Sequence, residues 1–494
     1  MIYMIVVVAY LALLFAVGLS KMRQVKTQEQ FMVAGRGTPW LLLVGTLVCT
    51  WIGSGSLFGG AGLAFREGFS ELWMSAGAWV GIAVVFFLAP RVRRIAEFTI
   101  SDILERRYNH WARILGSTSI IIAYLTIAGY QFRGGGRLLE ILTGISPEWG
   151  AFITCVTVIL FTVMAGLVSI ISIDIFNGIV MTLGVIIGVP LALAAVGGIE
   201  QVHTLPADHF AAFGQHNWVW AAGVFFPTFL LLLGEGGMYQ KFFAAKDENA
   251  ARKAVVGMIV GVIVIETLLA VLAVIGSAKY FNDPAFRLAD GSLNKAATET
   301  IILQLARVDL PVYAGVLLIA AAVAIILSTA NTYLMIPSTN LARDFYQRFI
   351  NPKASDRQIV TLQRLLIVML GLVALVLANF FTSILDMAFT AYTFVGAGVT
   401  PALLAAFLWR RATVKGGVAS IGTGMAVTLV ITIANIFLQD STWTWMIADM
   451  QVLPMATEYI IIPATLASVI TLIVVSLATP PPPADKWQPF WSKP

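Results

Sequence analysis

The stretch Gly53-Ser-Gly-Ser-Leu-Phe-Gly-Gly-Ala-Gly62 lies in the middle of a long apolar run, and its five glycines interrupt a segment that otherwise reads as a membrane helix. Lipid offers no partner for free backbone N–H and C=O groups. A break at this depth is therefore tolerated only where protein encloses it, and there it can point backbone groups at a solute. A second cluster, Gly234-Glu-Gly-Gly237, interrupts a later apolar run. If the first helix is set aside and the next ten are divided into two sets of five, the two breaks fall at corresponding positions. Paired broken helices leading two inverted repeats mark a transporter with its binding site near the bilayer midplane. Small-residue helix packing explains either cluster alone but not both at matched positions.

Working outward, the whole chain has this character. Of its 494 residues 59% are hydrophobic and 12% charged, with a mean hydropathy of +0.87, against roughly 45–50% apolar and about 25% charged in soluble domains. Apolar runs such as 2–19, 255–275 and 361–381 approach the ~20 residues that cross a hydrocarbon core as helix. Counting runs and polar breaks predicts an all-α polytopic membrane protein of about thirteen transmembrane helices, near 2–20, 38–64, 70–90, 113–143, 149–166, 171–197, 217–241, 254–277, 310–342, 359–381, 384–409, 416–438 and 458–478. The first run has no basic residues before it and no small-residue cleavage pattern after it, so it reads as a retained helix and not as a signal peptide.

Lys and Arg sort onto alternate loops: Lys21, Arg23, Lys26 and Arg36; Arg91, Arg93, Arg94, Arg106, Arg107 and Arg113; Lys241, Lys246, Arg252 and Lys253; Arg343, Arg348, Lys353 and Arg357; Arg410, Arg411 and Lys415. The segments 198–217 and 439–458 contain none. By the positive-inside rule the N-terminus lies outside and the C-terminus in the cytoplasm of a plasma or inner membrane. The basic pI of about 9.1 reflects topology and not a nucleic-acid surface, because the basic residues are dispersed. Cys49 and Cys155 lie inside apolar segments, which excludes a disulfide framework. His110, His203, His209 and His216 stand in loops without metal spacing and no nucleophile-base pair is visible, which argues against an enzyme.

Several stretches resemble the sodium:solute symporter family, which includes proline, pantothenate, sialic acid, sugar and choline cotransporters. They are Phe31-Met-Val-Ala-Gly-Arg36, Thr99-Ile-Ser-Asp-Ile-Leu-Glu-Arg-Arg-Tyr108, Gln240-Lys-Phe-Phe-Ala-Ala-Lys246, Leu327-Ser-Thr-Ala-Asn331 and Phe407-Leu-Trp-Arg-Arg-Ala-Thr-Val-Lys-Gly-Gly417. The resemblance implies a LeuT-like core of two inverted five-helix repeats. The chain then divides into an extra N-terminal helix and loop (1–37), the first repeat (38–200), the second repeat (201–411), two C-terminal helices (412–479) and a Pro-rich cytoplasmic tail (480–494), extended rather than folded. It also implies alternating-access import of a small polar organic solute driven by sodium, by a monomer or weak oligomer.

By register the resemblance carries a sodium site onto the backbone carbonyls of Cys49, Ile52 and Ile325 and the hydroxyls of Ser328 and Thr329. Sodium is a hard cation and takes oxygen ligands of this kind. Asp174 matches an acidic position that some relatives use for a second sodium or to support the first, and Thr332, four residues after Ser328, shares its helical face. Where such relatives have two serines this chain has Asn331 and Thr332.

The candidate solute residues are Trp51, Ser54, Ser56, Phe58, Trp73, Arg133, Phe229 and Glu235, from the two breaks and their aromatic flanks. Two readings stand open for Arg133. Its planar fork holds a solute carboxylate, or it pairs with Glu235 or Glu266. Trp51 points the other way, since an indole face receives a quaternary ammonium. A carboxylate or zwitterion is favoured, with a choline-like cation, a proton-coupled symporter using Asp174 or Glu235, and a membrane sensor or channel as alternatives. No loop or tail is long enough for a sensor's output domain.

Overall fold

The computed structural model describes residues 2–22, 27–95, 97–381, 383–438, 445–447 and 450–491. Arg23 and Lys26 of the first basic loop, and residues 439–444 and 448–449 of the loop expected to lack basic residues, lie outside the described residues. Among the described residues twelve helical segments are long and apolar enough to cross a membrane, and one of them, Gly55–Ile95, runs two passes together. The position of its ends reveals the reversal. Thr38 exchanges backbone hydrogen bonds with Ala244 and Lys246 at 3.0 and 2.9 Å, and Arg93 donates to the Ala245 carbonyl at 2.6 Å, so residues 38 and 93 share one face. At Gly68 the backbone turns with φ +65° beside His209, whose ring lies 3.3 Å from the Phe65 carbonyl. Residues 40–67 thus form one broken pass and 72–95 its return, which gives thirteen passes, numbered here in chain order.

The residues at helix ends explain where the passes begin. Thr99 and Ser355 form capping boxes with Asp102 and Gln358, and Asn109, Asn217, Asp247 and Ser383 cap with their side-chain oxygens, each satisfying N–H groups that the helix itself leaves free. Passes 5 and 6 run on as Pro147–Ala195, divided at Gly166. There φ is +59°, and a side chain would meet Phe31 at 2.6 Å. The first pass docks on the rest through Tyr10 to Asn177 at 2.6 Å and Tyr3 to the Ala306 carbonyl at 3.3 Å.

The membrane-spanning fold is helical throughout, as expected, and outside it Trp445–Ile447 and Met450–Leu453 pair as a small antiparallel hairpin. One expectation is corrected. The tail is not extended: Ala484–Trp491 is a helix that buries Phe490 against Phe407 and sets Trp487 and Trp491 about the Arg410 guanidinium, 5.0 and 4.4 Å from it. Its aromatic spacing supplies an apolar stripe that an extended segment would leave in water. Arg107, Arg113 and Lys241, assigned to the cytoplasmic loops, are buried.

Candidate functional site

The two breaks have the same local geometry. Trp40–Trp51 ends at Ile52, whose φ, ψ of −72°, 106° is extended, and the chain resumes as the wide-turned helix Gly55–Gly60. Trp218–Leu233 ends at Gly234, Glu235 is extended at −77°, 108°, and Gly236–Ala244 follows. Each extended residue interrupts the hydrogen-bond ladder and leaves carbonyls of the preceding turn without helical donors. Gly53 is required by crowding, since a Cβ there would lie 2.7 Å from Gln131 Nε2 and 2.8 Å from Thr329 Cγ2. That contact brings the ninth pass, Val312–Thr339, against the first break.

There the residues assigned to sodium converge. The Thr329 hydroxyl donates to the carbonyls of Ile52 at 2.9 Å and Cys49 at 3.2 Å. Ile325, Ser328 and Thr329 are all buried and share a helix face by their spacing of three and four. Beside them Asp174 is fully buried, accepting from Ser328 at 2.5 Å and from Thr46 at 2.5 Å. A position near water is thereby excluded for this carboxylate. Thr332 faces Thr50 at 3.4 Å, and Asn331 is turned to Thr162 at 2.9 Å, so neither bonds Asp174. Lys241, read from sequence as a loop cation, donates from the protein interior to the Thr46 carbonyl at 2.9 Å. Its ammonium lies within electrostatic reach of Asp174.

Between the breaks Thr50, Trp51, Glu235, Met238 and Met258 close on one another, leaving no water-sized space. Glu235 is committed to the local fold. Its carboxylate accepts from the N–H groups of Gly237 and Met238 at 2.9 and 2.5 Å and from Tyr124 at 2.9 Å, capping the second half-helix. Ser56 faces Glu266 at 3.4 Å. Ser54 donates its N–H to Gln131 at 2.9 Å, and its buried hydroxyl has no partner. Phe58 is buried where Gly134 lets the fourth pass approach, a Cβ there coming 2.9 Å from the ring.

Three candidates stand elsewhere. Trp73, at the start of pass 3, donates to the Ala212 carbonyl at 2.8 Å and stacks on Phe213, so it packs on the loop between passes 6 and 7. Phe229 stacks on Phe225 and packs with the cluster around Leu230 and Ile461. Arg133 pairs with neither Glu235 nor Glu266. It donates to the backbone carbonyls of Ala378, at 2.9 Å, and Phe381, where the tenth pass ends and its last carbonyls need donors. Aromatic and basic side chains in an apolar chain have structural uses that sequence position alone does not separate from binding.

Sequence reasoning missed the closures on either side. On the face of Thr38 and Ala245, Arg113 bonds Asp344 at 2.7 Å and also Asp102 and Glu105. Ser117 and Thr99 add hydrogen bonds to Asp344 at 2.9 and 3.2 Å, tying the fourth pass to the end of the ninth. On the other face Glu299 accepts from the N–H groups of Ile384 and Leu385, both at 3.0 Å, and burial pushes its carboxyl above the ordinary range. Asp102 in the quoted family stretch was the available signal for the first closure. Nothing in the sequence flags Glu299.

Comparison with known proteins accords with this geometry. The pattern of the sodium:solute symporter family matches residues 31–424. The osmoregulated proline transporter OpuE of Bacillus subtilis is 25% identical over 97% of this chain and 96% of its own. The high-affinity proline transporter PutP of the same organism is 27% identical over 86% and 87%. A sodium-coupled sialic acid symporter, solved in a substrate-bound outward-open state, shares the fold with a TM-score of 0.77 at 17% identity, covering 97% of this chain and 98% of that one.

Proposed function

Because the chain belongs to the sodium:solute symporter family and imports a small organic solute with sodium, we propose that its solute is a compact zwitterionic amino acid of the proline type. Two relatives spanning most of the chain are proline transporters. Among the residues that close between the breaks the charged side chain, Glu235, is already satisfied by three hydrogen bonds, which supports a net-neutral solute once they part. With Arg133 spent on backbone carbonyls, a solute carboxylate is met by main-chain groups of the breaks and not by a guanidinium.

The observation that carries the coupling-ion site is the convergence of the Thr329 hydroxyl on two freed carbonyls. In this reading sodium takes the carbonyls of Cys49, Ile52 and Ile325 and the hydroxyls of Ser328 and Thr329, and Thr329 turns its lone pairs to the ion as its single O–H leaves the two carbonyls that share it. Oxygen ligands arranged by an unwound helix suit a hard cation. Asp174 holds the Ser328 side chain and adds negative potential. The buried ammonium of Lys241 offsets that charge, which favours one sodium per solute. Sodium supports closure because it joins the first break to the ninth pass.

On this reading the two repeats span 38–200 and 201–411. The basic-rich face carrying Thr38, Ala245 and Arg113 is taken as cytoplasmic, with the N-terminus outside. A thermal-shift panel of proline, a sugar, a dicarboxylate and a betaine, each with and without sodium, tests the proposal, because ligand binding stabilises the folded state by mass action. Proline is expected to stabilise in sodium and not in choline chloride. A response only to betaine would transfer the solute site to the face of Trp51.

A further inference from the structure

Beyond the sodium site lies a second group of buried acids that the coupling reaction leaves unexplained. Glu71 ends the tight turn at the start of pass 3, and Glu266 lies within pass 8; both are at least nine-tenths buried. Glu266 accepts the indole N–H of Trp51 on one oxygen and that of Trp79 on the other, each at 2.8 Å. Glu71 accepts from Ser75 at 3.3 Å on one oxygen, while its Oε2 is buried with no partner. That first oxygen stands 3.0 Å from where a Cβ of Gly60 would be, against the wide-turned helix of the first break.

Among the described residues no Lys, Arg or His pairs with either acid. The neighbouring ionisable groups are committed elsewhere: Glu67 to His216 at 2.9 Å, Glu235 to its helix end, and Tyr392, which is within electrostatic reach of Glu266, to Tyr130 at 3.4 Å. Ser75 binds Glu71 and Trp79, one turn further along the same face, binds Glu266, so the two carboxylates lie within electrostatic reach; desolvated and without a counter-charge they repel when both are ionised, which favours one proton held by the pair. Glu266, with a donor on each oxygen, is built to be the carboxylate, and Glu71, with its bare Oε2, to carry the proton.

The placement suggests a route as well as a store. Glu71, Ser75 and Trp79 recur at four-residue spacing along one face of pass 3, descending from the turn at Gly68 and His209. Glu266 then joins this stripe to Trp51, whose ring borders the space between the breaks. We propose that Glu71 and Glu266 form a proton-binding pair, exchanging one proton with the face of Gly68 and His209 and setting the charge behind Trp51. The pair needs no particular solute, and its test is separate from that of sodium coupling.

Infrared difference spectroscopy of the full chain in liposomes tests it, with protons and sodium chloride as the only probes. In wild type the carbonyl band of an un-ionised carboxylic acid is expected at neutral pH and is lost on alkaline titration. Glu71→Gln should remove that band, and Glu266→Gln, or Trp79→Phe if the former does not fold, should shift its frequency and midpoint. Identical acid bands in wild type, Glu71→Gln and Glu266→Gln would overturn the assignment. So would a Glu71 band abolished by sodium at constant pH, because the pair would then be a sodium site.

Discussion

Replacing Thr329 by valine removes one oxygen and keeps the branched shape, so the packing of the side chain against Gly53 survives. In the sodium-free protein the hydroxyl donates to the Ile52 and Cys49 carbonyls, both desolvated, and leaving them unpaired costs on the order of 1–3 kcal/mol. The basal melting temperature should fall. In the sodium-bound protein one of five ligands is lost. Taking about 2 kcal/mol for a hydrogen-bond-like contact to a charged group, the sodium Kd rises roughly 30-fold at about 1.4 kcal/mol per decade. At a sodium concentration of about 100 times the wild-type Kd the ion stabilises wild type by ~2.7 kcal/mol, and by the same relation the variant by only about 0.9 kcal/mol. The assay is thermal unfolding of purified protein across a sodium titration at constant ionic strength, with choline as the balancing cation. A variant whose basal stability drops while its sodium increment stays at the wild-type value would refute the ligand role and leave Thr329 a packing and hydrogen-bonding residue.

Asp174→Asn keeps the shape beside Ser328 and Thr46 but deletes the charge, so the sodium concentration for half-maximal uptake should rise about tenfold, as for ~1.4 kcal/mol, with little loss of folded yield; an unchanged value removes Asp174 from the site. Arg133→Ala should lower the melting temperature, losing roughly 1.5–3 kcal/mol for each of its carbonyl bonds, while solute affinity in the folded fraction stays at wild type; a selective loss of affinity would restore the carboxylate-binding role. Arg113→Met strands the fully buried Asp344, costing about 3–5 kcal/mol, and should open the face carrying Thr38. A cysteine placed at Thr339 in that background should react faster with a membrane-impermeant thiol reagent applied from that face, and an unchanged rate would show that the cluster does not hold the closure.

The breaks and the pass count were legible, and Ser328 and Thr329 stood out as candidates, because each leaves a local mark. Glycines sit where a helix should continue, apolar runs have a length set by the bilayer, and Ser328 and Thr329 are polar where neighbours are not. Arg133, Trp73 and Phe229 were misplaced for one shared reason. A cation or aromatic in a membrane helix satisfies a helix end, a loop carbonyl or a neighbouring ring as readily as a solute, and the choice depends on which passes touch. Lys241 shows the opposite failure. It follows the second break by one turn and a half and was read with the loop cations, but the half-helix Gly236–Ala244 is buried on all sides. The tail misled because prolines at 480–483 signal extension, while the aromatics beyond them dock as a helix.

Uptake of radiolabelled proline into proteoliposomes, under an inward sodium gradient and under an equal choline gradient, tests the central claim most directly. The account predicts accumulation above the equilibrium level with sodium alone, collapse of that accumulation on adding a sodium ionophore, and a large rise in the sodium requirement in Thr329→Val. Accumulation that proceeds equally in choline, or that follows an imposed proton gradient with sodium absent, would contradict it.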